Sequence, residues 1–229
     1  MQASELTAAH ALVASLMPDG VVTALAAPED WTGDLMEPER DCVAGSSEKR
    51  RREFTAGRVC ARRALEQLGI RDFPLLPRSD RSPAWPPAVV GAISHSDKCC
   101  FTAVARADRI AALGVDVERA DPLERRLAAY VCRESEIART QRTHPSRAPA
   151  LWKLIFSAKE ATFKCYYPIT RRWLDFHDVE IALDLEARSF EARIVRGDAP
   201  APFGRRVLDG RFALADRYVF TGAWICAAA

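Results

Sequence analysis

The sequence lacks the two commonest phosphate-binding glycine motifs, a zinc-type cysteine pattern and any long apolar run. Neither Gly-x-x-x-x-Gly-Lys nor Gly-x-Gly-x-x-Gly occurs, so a bound phosphate must be held by side chains or by a metal ion. None of the seven cysteines forms a Cys-x-x-Cys pair, and their odd number argues against a complete disulfide framework. Because no apolar run of about 18 residues and no signal-type N-terminus is present, we expect a cytoplasmic protein that does not enter a membrane.

Net charge is also small, +2 over 229 residues, which argues against a protein built as a whole to bind nucleic acid. The arginines are nevertheless unevenly distributed. Six of them crowd one stretch: Arg50, Arg51, Arg52, Arg58, Arg62 and Arg63. Such a cluster suits a small, multiply phosphorylated ligand as well as a polynucleotide.

Helical and β-like segments are grouped rather than strictly alternating, which favours an α+β fold with antiparallel sheets over a parallel α/β sheet. Helices are predicted at 3–16, 48–68, 122–140 and 151–166. Strands are predicted at 21–26, 89–96, 100–106, 110–118, 179–185, 190–195, 211–215 and 218–226. Asp97-Lys98 is the predicted turn of a hairpin.

Two carboxylates follow a strand-like alternation in the segment from Leu113 to Glu118. As a strand, it places Leu113, Val115 and Val117 on one face and both Asp116 and Glu118 on the other. One interpretation is an ordinary strand with one solvated face. However, two acids at successive positions on one face repel each other, so we expect a positive group, such as a divalent cation, beside them.

A third carboxylate lies in the predicted helix 151–166. A helical wheel gathers an apolar stripe on one side and places Glu160 and Lys164, at positions i and i+4, on the other. The pair could be an ordinary solvated one. Together with Asp116 and Glu118, it also suits a magnesium ion that holds a phosphorylated substrate.

Basic side chains occur in three further places. His95 ends a β-like run, where it is either a structural residue or a phosphate donor. Arg50 and Arg58 are about 80° apart around their helix and roughly 12 Å apart along it, so both could reach one ligand. Arg78 and Arg81 lie in a proline-rich loop, and the sequence does not distinguish a binding patch from a plain surface loop there.

Taken together, the motifs resemble those of the 4′-phosphopantetheinyl transferases, in particular the monomeric class that includes the surfactin- and enterobactin-synthetase activating enzymes. Four segments carry the resemblance, in the same order and spacing, and the match spans about residues 46–185. They are Lys49-Arg-Arg-Arg-Glu-Phe-Thr-Ala-Gly-Arg58, Ile93-Ser-His-Ser96, Gly114-Val-Asp-Val-Glu118 and Phe156-Ser-Ala-Lys-Glu-Ala-Thr-Phe-Lys164. Trp85-Pro and the loop Pro168-Ile-Thr-Arg-Arg-Trp173 fit the actinobacterial and enterobactin-like branch.

The resemblance implies two pseudo-symmetric α+β halves, residues 1–110 and 111–229, with the active site in the cleft between them. It implies transfer of the 4′-phosphopantetheine arm of coenzyme A to a serine of an apo acyl, peptidyl or aryl carrier protein, with release of 3′,5′-ADP. The cofactor is expected to be Mg²⁺, with Mn²⁺ as the alternative. The expected partners are coenzyme A and the carrier, with neither nucleic acid nor membrane, and the chain is expected to be a monomer.

The same resemblance assigns roles to individual residues. Asp116, Glu118 and Glu160 would hold the metal; Asp116, Glu160 and Lys164 would be catalytic, with Glu160 acting as the base directly or through a metal-bound water. The residues expected to bind coenzyme A are Arg50, Arg58, Arg78, Arg81, Ser94, His95, Lys159 and Lys164. The carrier is expected to dock against Arg133, Arg139, Arg142 and the loop Arg171-Arg172-Trp173.

Two other functions fit the same residues. One is a different magnesium-dependent phosphotransferase or nucleotide hydrolase, which would consume its nucleotide without a carrier. The other is a non-catalytic coenzyme A sensor, although binding alone would not require both Glu160 and Lys164.

Overall fold

The computed structural model describes residues 3–26, 28–215 and 217–227, which form a mixed α+β fold. Its α-helices are α1 (Ala3–Ala14), α2 (Glu37–Asp41), α3 (Glu48–Gln67), α4 (Arg125–Val131), α5 (Glu134–Thr143) and α6 (Ala148–Thr170). Its strands are β1 (Val21–Ala26), β2 (Val89–Ser96), β3 (Cys99–Arg106), β4 (Ile110–Arg119), β5 (Val179–Asp184), β6 (Ser189–Ile194), β7 (Val207–Ala215) and β8 (Tyr218–Cys226). In these ranges, no helix is both long and apolar enough to cross a membrane.

The strands form two antiparallel sheets, as the α+β prediction requires. The smaller sheet has the order β1-β3-β2, and the larger has the order β4-β8-β7-β6-β5. The predicted hairpin turn joins β2 to β3, and Asp97 adopts a positive φ of 51° there. Ser47 caps α3 by accepting a hydrogen bond from the backbone N–H of Arg50 at 3.3 Å.

The prediction of one helix over 122–140 is wrong, because the chain forms α4 and α5 with a break between them. Cys132 is extended, with φ −90° and ψ 142°, and it ends α4. The Glu136 carboxylate then accepts the backbone N–H of Arg133 at 2.6 Å, which starts α5. A helical pattern in sequence does not reveal this break, because the capping acid has a second partner that is distant in the chain.

Strand β4 lies between the two largest hydrophobic clusters. Leu113, Val115 and Val117 share one cluster with residues of α1, β3 and β8, as the alternation predicts. The opposite face packs against α6, so the interpretation of a solvated face is wrong: Asp116 is only 2% exposed. The site acids on β4 therefore face a helix rather than water.

Gly114 permits this contact between β4 and α6. A Cβ atom at this position would lie 2.0 Å from the backbone oxygen of Ala161 and 2.4 Å from the backbone nitrogen of Cys165. Both atoms belong to the helix backbone, so a side chain at Gly114 would displace the helix that carries Glu160 and Lys164.

We therefore expect Gly114→Ala to lower the free energy of unfolding by about 1–3 kcal/mol or more and to reduce activity sharply. Gly197→Ala is the matched control, since no atom lies within 4 Å of the Cβ it would add. Chemical denaturation of both variants tests this expectation. Equal stability of the two variants would contradict the close helix–strand approach.

Candidate functional site

The buried carboxylate of Asp116 is the centre of the site. Its Oδ1 accepts hydrogen bonds from Ser94 Oγ at 2.8 Å and from Lys164 Nζ at 2.7 Å. Its Oδ2 accepts a hydrogen bond from Ser157 Oγ at 2.8 Å. One acid on β4 thereby joins β2 of the smaller sheet to two turns of α6.

Ser157 is a site residue that the sequence analysis did not identify. It is fully buried, and its hydroxyl group also lies 2.9 Å from that of Thr221 on β8. The wheel places Ser157 on the polar side of the helix with Glu160 and Lys164, and that grouping was the available signal. The sequence does not show that this side of α6 packs against β4.

Glu118 lies one pleat beyond Asp116 and is half-buried. Its Oε2 is 3.5 Å from Nζ of Lys153 on α6, a second residue that the sequence analysis left without a role. Burial and the neighbouring charge of Asp116 raise the pKa of Glu118, while Lys153 and Lys164 oppose the increase. The carboxylate is therefore in a negative environment that the two lysines only partly compensate.

Glu160 is half-buried in the same electrostatic environment. Burial raises the pKa of its carboxyl group above 4.5; Lys164 opposes this effect and Asp116 adds to it. The structure thus places Glu118 and Glu160 where each experiences the charge of Asp116, as the sequence analysis expected of the three acids.

These acids suit a hard divalent cation by donor type and charge. All three supply oxygen ligands, and the pKa values of Glu118 and Glu160 are raised first by burial and also by the charge of Asp116, which a cation would offset. As the side chains are arranged, however, both oxygens of Asp116 already accept hydrogen bonds. Within the described ranges, no group of three or more His, Cys, Asp or Glu side chains is positioned to hold a metal ion. Oδ2 of Asp116 accepts one hydrogen bond, from Ser157, and keeps a lone pair for a cation.

His95 lies on the other side of this cluster. Burial lowers the pKa of its imidazole; the positive charges of Lys164 and Arg50 lower it further, while Glu53 and Asp116 oppose them. His95 is therefore an electrostatic neighbour of both Arg50 on α3 and Lys164 on α6. The sequence analysis assigned all three to the coenzyme A site, and in the structure both cations act on the His95 imidazole.

Arg58 belongs to the same helix as Arg50 but is held differently. Only 7% of the residue is exposed, and its guanidinium stacks 3.9 Å from the ring centroid of Phe54. Its Nε donates a hydrogen bond of 2.6 Å to the backbone oxygen of Leu75. Burial lowers the pKa of Arg58 to about 10, with Glu39 opposing the decrease. Arg58 is therefore enclosed by the protein, whereas Arg50 on the same helix is exposed.

Arg78 and Arg81 are exposed and line a cavity of about 600 Å³ between the proline-rich loop and the C-terminal half of α6. Lys164 also lines this cavity, but Arg50, Arg58 and His95 do not. Across its opening, Asp80 pairs with Arg171 at 2.6 Å. The two predicted basic patches are thus separate surfaces.

A second cavity, of about 160 Å³, lies beside Glu160 and includes four aromatic residues in its lining. Phe163 and Trp173, whose ring centroids are 4.7 Å apart, line both cavities. Tyr130 and Phe176 complete the aromatic lining of the smaller one. The candidate base Glu160 therefore faces a pocket with apolar walls next to the acid–lysine cluster.

Lys159 does not occupy the position expected of a coenzyme A ligand. Its side chain is 1% exposed, and Nζ donates to Glu136 Oε2 at 2.7 Å, to the Val131 oxygen at 3.0 Å and to the Phe176 oxygen at 2.8 Å. An ammonium group has three hydrogens, so all of them are used within the protein. The prediction that Lys159 binds coenzyme A is therefore wrong, since no N–H of its ammonium group is left for a ligand.

The arginines expected to receive the carrier differ in availability. Arg133 and Arg139 donate to the backbone oxygens of His177 and Ile181, so these guanidinium groups are partly engaged. Arg142 and Arg172 are exposed, and Trp173 is 64% exposed. Leu127 and Tyr130 on α4 are also exposed, at 52% and 74%.

Comparison with known proteins identifies the family of this chain. A family model for the 4′-phosphopantetheinyl transferase N-terminal domain matches residues 38–105, and the model of the 4′-phosphopantetheinyl transferase superfamily matches residues 112–221. The 4′-phosphopantetheinyl transferase Svp of Streptomyces mobaraensis is 39% identical over 226 residues, covering 95% of this chain and 91% of the relative. The chain belongs to the 4′-phosphopantetheinyl transferase superfamily.

Two further transferases support this assignment. The 4′-phosphopantetheinyl transferase PptT of Mycobacterium tuberculosis is 36% identical over 189 residues, covering 80% of this chain and 82% of the relative. The 4′-phosphopantetheinyl transferase Npt of Nocardia iowensis is 33% identical over 221 residues, covering 92% of this chain and 98% of the relative. The fold and enzyme class expected from the sequence are therefore confirmed.

Proposed function

We propose that this transferase moves the 4′-phosphopantetheine arm of coenzyme A to a serine hydroxyl of an apo carrier protein. The serine oxygen attacks the phosphorus on the pantetheine side of the pyrophosphate. The bond to the bridging oxygen breaks, and 3′,5′-ADP leaves. The observation that carries the proposal is the junction of Asp116, Lys164 and Glu160 beside a cleft bordered by arginines.

In this reaction, Glu160 accepts the proton of the attacking serine. Burial raises the pKa of its carboxyl group above the ordinary value, which makes the carboxylate a stronger base. Lys164 neutralises charge that develops on the phosphoryl oxygens. Ser94 and Ser157 hold Asp116 in place by hydrogen bonds.

We further propose that Asp116, Glu118 and Glu160 hold Mg²⁺, or Mn²⁺, when coenzyme A is bound. The ion would supply Lewis-acid polarisation of the pyrophosphate. Lys164, which pairs with Asp116 at 2.7 Å, would turn to the substrate's phosphate oxygens once the ion neutralises Asp116. In the free enzyme, Lys164 is thus held beside Asp116, where a bound phosphate could become its new partner.

Arg50 and His95 are proposed to bind the 3′-phosphate of coenzyme A, with Arg58 fixing the α3 surface beneath them. Arg50→Ala should raise the KM for coenzyme A by about 10–100-fold, the effect of one lost charge-assisted hydrogen bond. The same substitution should barely change the KM for 3′-dephospho-coenzyme A. Arg52→Ala, also exposed on α3, is the control. An equal effect of Arg50→Ala on both substrates would place the contact elsewhere on the ligand.

We propose that the carrier docks where exposed aromatic and arginine side chains adjoin the Glu160 cavity. Trp173 and Arg172 are exposed there, and Arg142 is exposed on α5. A carrier helix with acidic and apolar residues would complement this surface. Arg172→Glu should raise the carrier KM and leave that of coenzyme A unchanged; an unaltered carrier KM would remove Arg172 from the interface.

The proposal also covers the domain organisation, location and oligomeric state of the enzyme. The halves 1–110 and 111–229 would enclose the substrate, and the enzyme would act as a cytoplasmic monomer, with neither nucleic acid nor membrane required. The two sheets supply one group each to the central junction: Ser94 comes from the smaller sheet and Asp116 from the larger.

The decisive experiment incubates the protein with coenzyme A, magnesium and a panel of apo acyl, peptidyl and aryl carriers, and measures intact masses. We expect one phosphopantetheine to be added to at least one carrier, with stoichiometric 3′,5′-ADP. Matched samples contain EDTA, or a carrier in which alanine replaces the acceptor serine. Nucleotide consumption without a carrier would indicate a hydrolase, and binding of coenzyme A with no mass gain would indicate a sensor.

A further inference from the structure

A fully buried ion pair adjoins the catalytic helix face, yet the proposed reaction does not use it. Lys159 immediately precedes Glu160 on α6, and its side chain is 1% exposed; the Glu136 side chain is 0% exposed. Burial lowers the pKa of Lys159, and the charge of Glu136 opposes the decrease. Desolvation makes such pairs a poor source of stability compared with apolar packing, so their geometry is a better guide to their role.

The pair connects four backbone segments to one point on α6. Lys159 binds the carbonyl groups of Val131, at the end of α4, and of Phe176. Glu136 accepts the backbone N–H groups of Arg133, at the start of α5, and of Ile181 on β5, both at 2.6 Å. The break between α4 and α5, which the sequence did not predict, lies between two of these bonded residues, Val131 and Arg133.

The segments held by the pair also supply part of the cavity beside Glu160. Tyr130 immediately precedes Val131, whose carbonyl group binds Lys159. Phe176 binds Lys159 through its own carbonyl group, and Val179 lies in the chain between Phe176 and Ile181. All three line that cavity, as does Lys159 itself. The walls of the pocket and the candidate base are therefore fixed to the same ion pair.

We propose that Lys159 and Glu136 are positioning residues, which hold the aromatic cavity and the Glu160 carboxylate in register for phosphopantetheine transfer. This inference rests on the proposed function. It gives the buried pair a role in the turnover of the enzyme rather than only in its folding.

The test compares Lys159→Met with a control that breaks a buried contact between the same two helices. Trp152 Nε1 donates to Thr140 Oγ1 at 2.8 Å, linking α6 to α5 two helical turns before Lys159, and neither residue lines the Glu160 cavity. Thr140→Val therefore weakens the same helix–helix contact without touching the cavity. Steady-state kinetics are measured for both variants well below their melting temperatures and corrected for the folded fraction.

For Lys159→Met we expect a loss of about 10²-fold in kcat, the usual cost of misplacing a reacting group, with a much smaller change in the KM for coenzyme A. Thr140→Val should keep the kcat of the unmodified enzyme. If both variants retain full kcat per folded molecule, the pair is only structural and the inference is overturned. Failure of the unmodified enzyme to load any carrier would instead overturn the proposed function.

Glu136→Gln provides a second variant if Lys159→Met does not fold. It keeps the shape of the side chain but removes the charge that holds the ammonium group. We expect faster hydrogen exchange at the amides of Arg133 and Ile181, together with the same selective loss of kcat. Faster exchange at both amides with an unchanged kcat would show that turnover does not depend on the pair and would overturn the inference.

Discussion

Replacing Glu160 with glutamine is expected to reduce phosphopantetheine transfer by about 10²–10⁴-fold and, at the same time, to raise the melting temperature of the metal-free protein. Activity is lost because the amide cannot accept the serine proton and is a weaker metal ligand. Stability rises because the folded protein disfavours the charged carboxylate: burial and the charge of Asp116 raise its pKa, and Lys164 only partly compensates.

The stabilisation by Glu160→Gln should depend on pH in a defined direction. Because the folded-state pKa lies above the unfolded value, the folded state binds the proton more tightly. Ionisation therefore destabilises the folded protein as pH rises from about 4.5 through the raised pKa, and the penalty is fully present above it. The gain in melting temperature should be largest at neutral pH and should disappear in acid below the unfolded value.

Differential scanning calorimetry in EDTA, repeated across this pH range, measures the effect. Glu66→Gln, the same change at an exposed position of α3, is the control and should alter neither melting temperature nor transfer. A Glu160→Gln variant that is less stable than the unmodified protein at neutral pH would contradict the proposed environment of the carboxylate.

The fold could be predicted closely where local pattern decides it. The alternation in β4 identified which side chains enter the core, and Ser47 identified the start of α3. The break between α4 and α5 could not be predicted, because it depends on Glu136 reaching Lys159 and Ile181, which are distant in sequence. Contacts of that kind are set by tertiary packing and leave no local periodicity.

The candidate site, too, could be predicted in part from local sequence and depends in part on tertiary packing. The sequence motifs named Asp116, Glu160 and Lys164, and the structure places them as neighbours on β4 and α6. Both Lys159 and Lys164 belong to the same sequence motif, which does not tell which of them faces the ligand. The ammonium group of Lys159 is enclosed, whereas Lys164 lines a cavity. The two lysines lie five residues apart and therefore on different sides of the helix, and only the packing of α6 decides which side meets the cleft.

Lys164 supplies the second large effect, because its contacts are structural and we propose a catalytic role for it as well. Its ammonium donates to Asp116 Oδ1 at 2.7 Å and to Ser94 Oγ at 2.9 Å. Lys164→Met leaves the buried carboxylate with only its two serine donors, which should cost about 2–3 kcal/mol of stability, the range for a hydrogen bond to a charged group. The melting temperature should fall by roughly 4–12 °C for a chain of this size.

Transfer by Lys164→Met should fall by about 10²–10³-fold in kcat, since charge developing on the phosphoryl group loses its neutralising partner. The exposed Lys98→Met serves as the control for loss of a lysine charge. Glu160 and Lys164 lie one helical turn apart, yet the variants should share inactivity and shift the melting temperature in opposite directions. Such a split is expected if Asp116 attracts the lysine while burial and the charge of Asp116 both disfavour the glutamate carboxylate. Destabilisation by both substitutions would show that α6 is simply intolerant of change along this face.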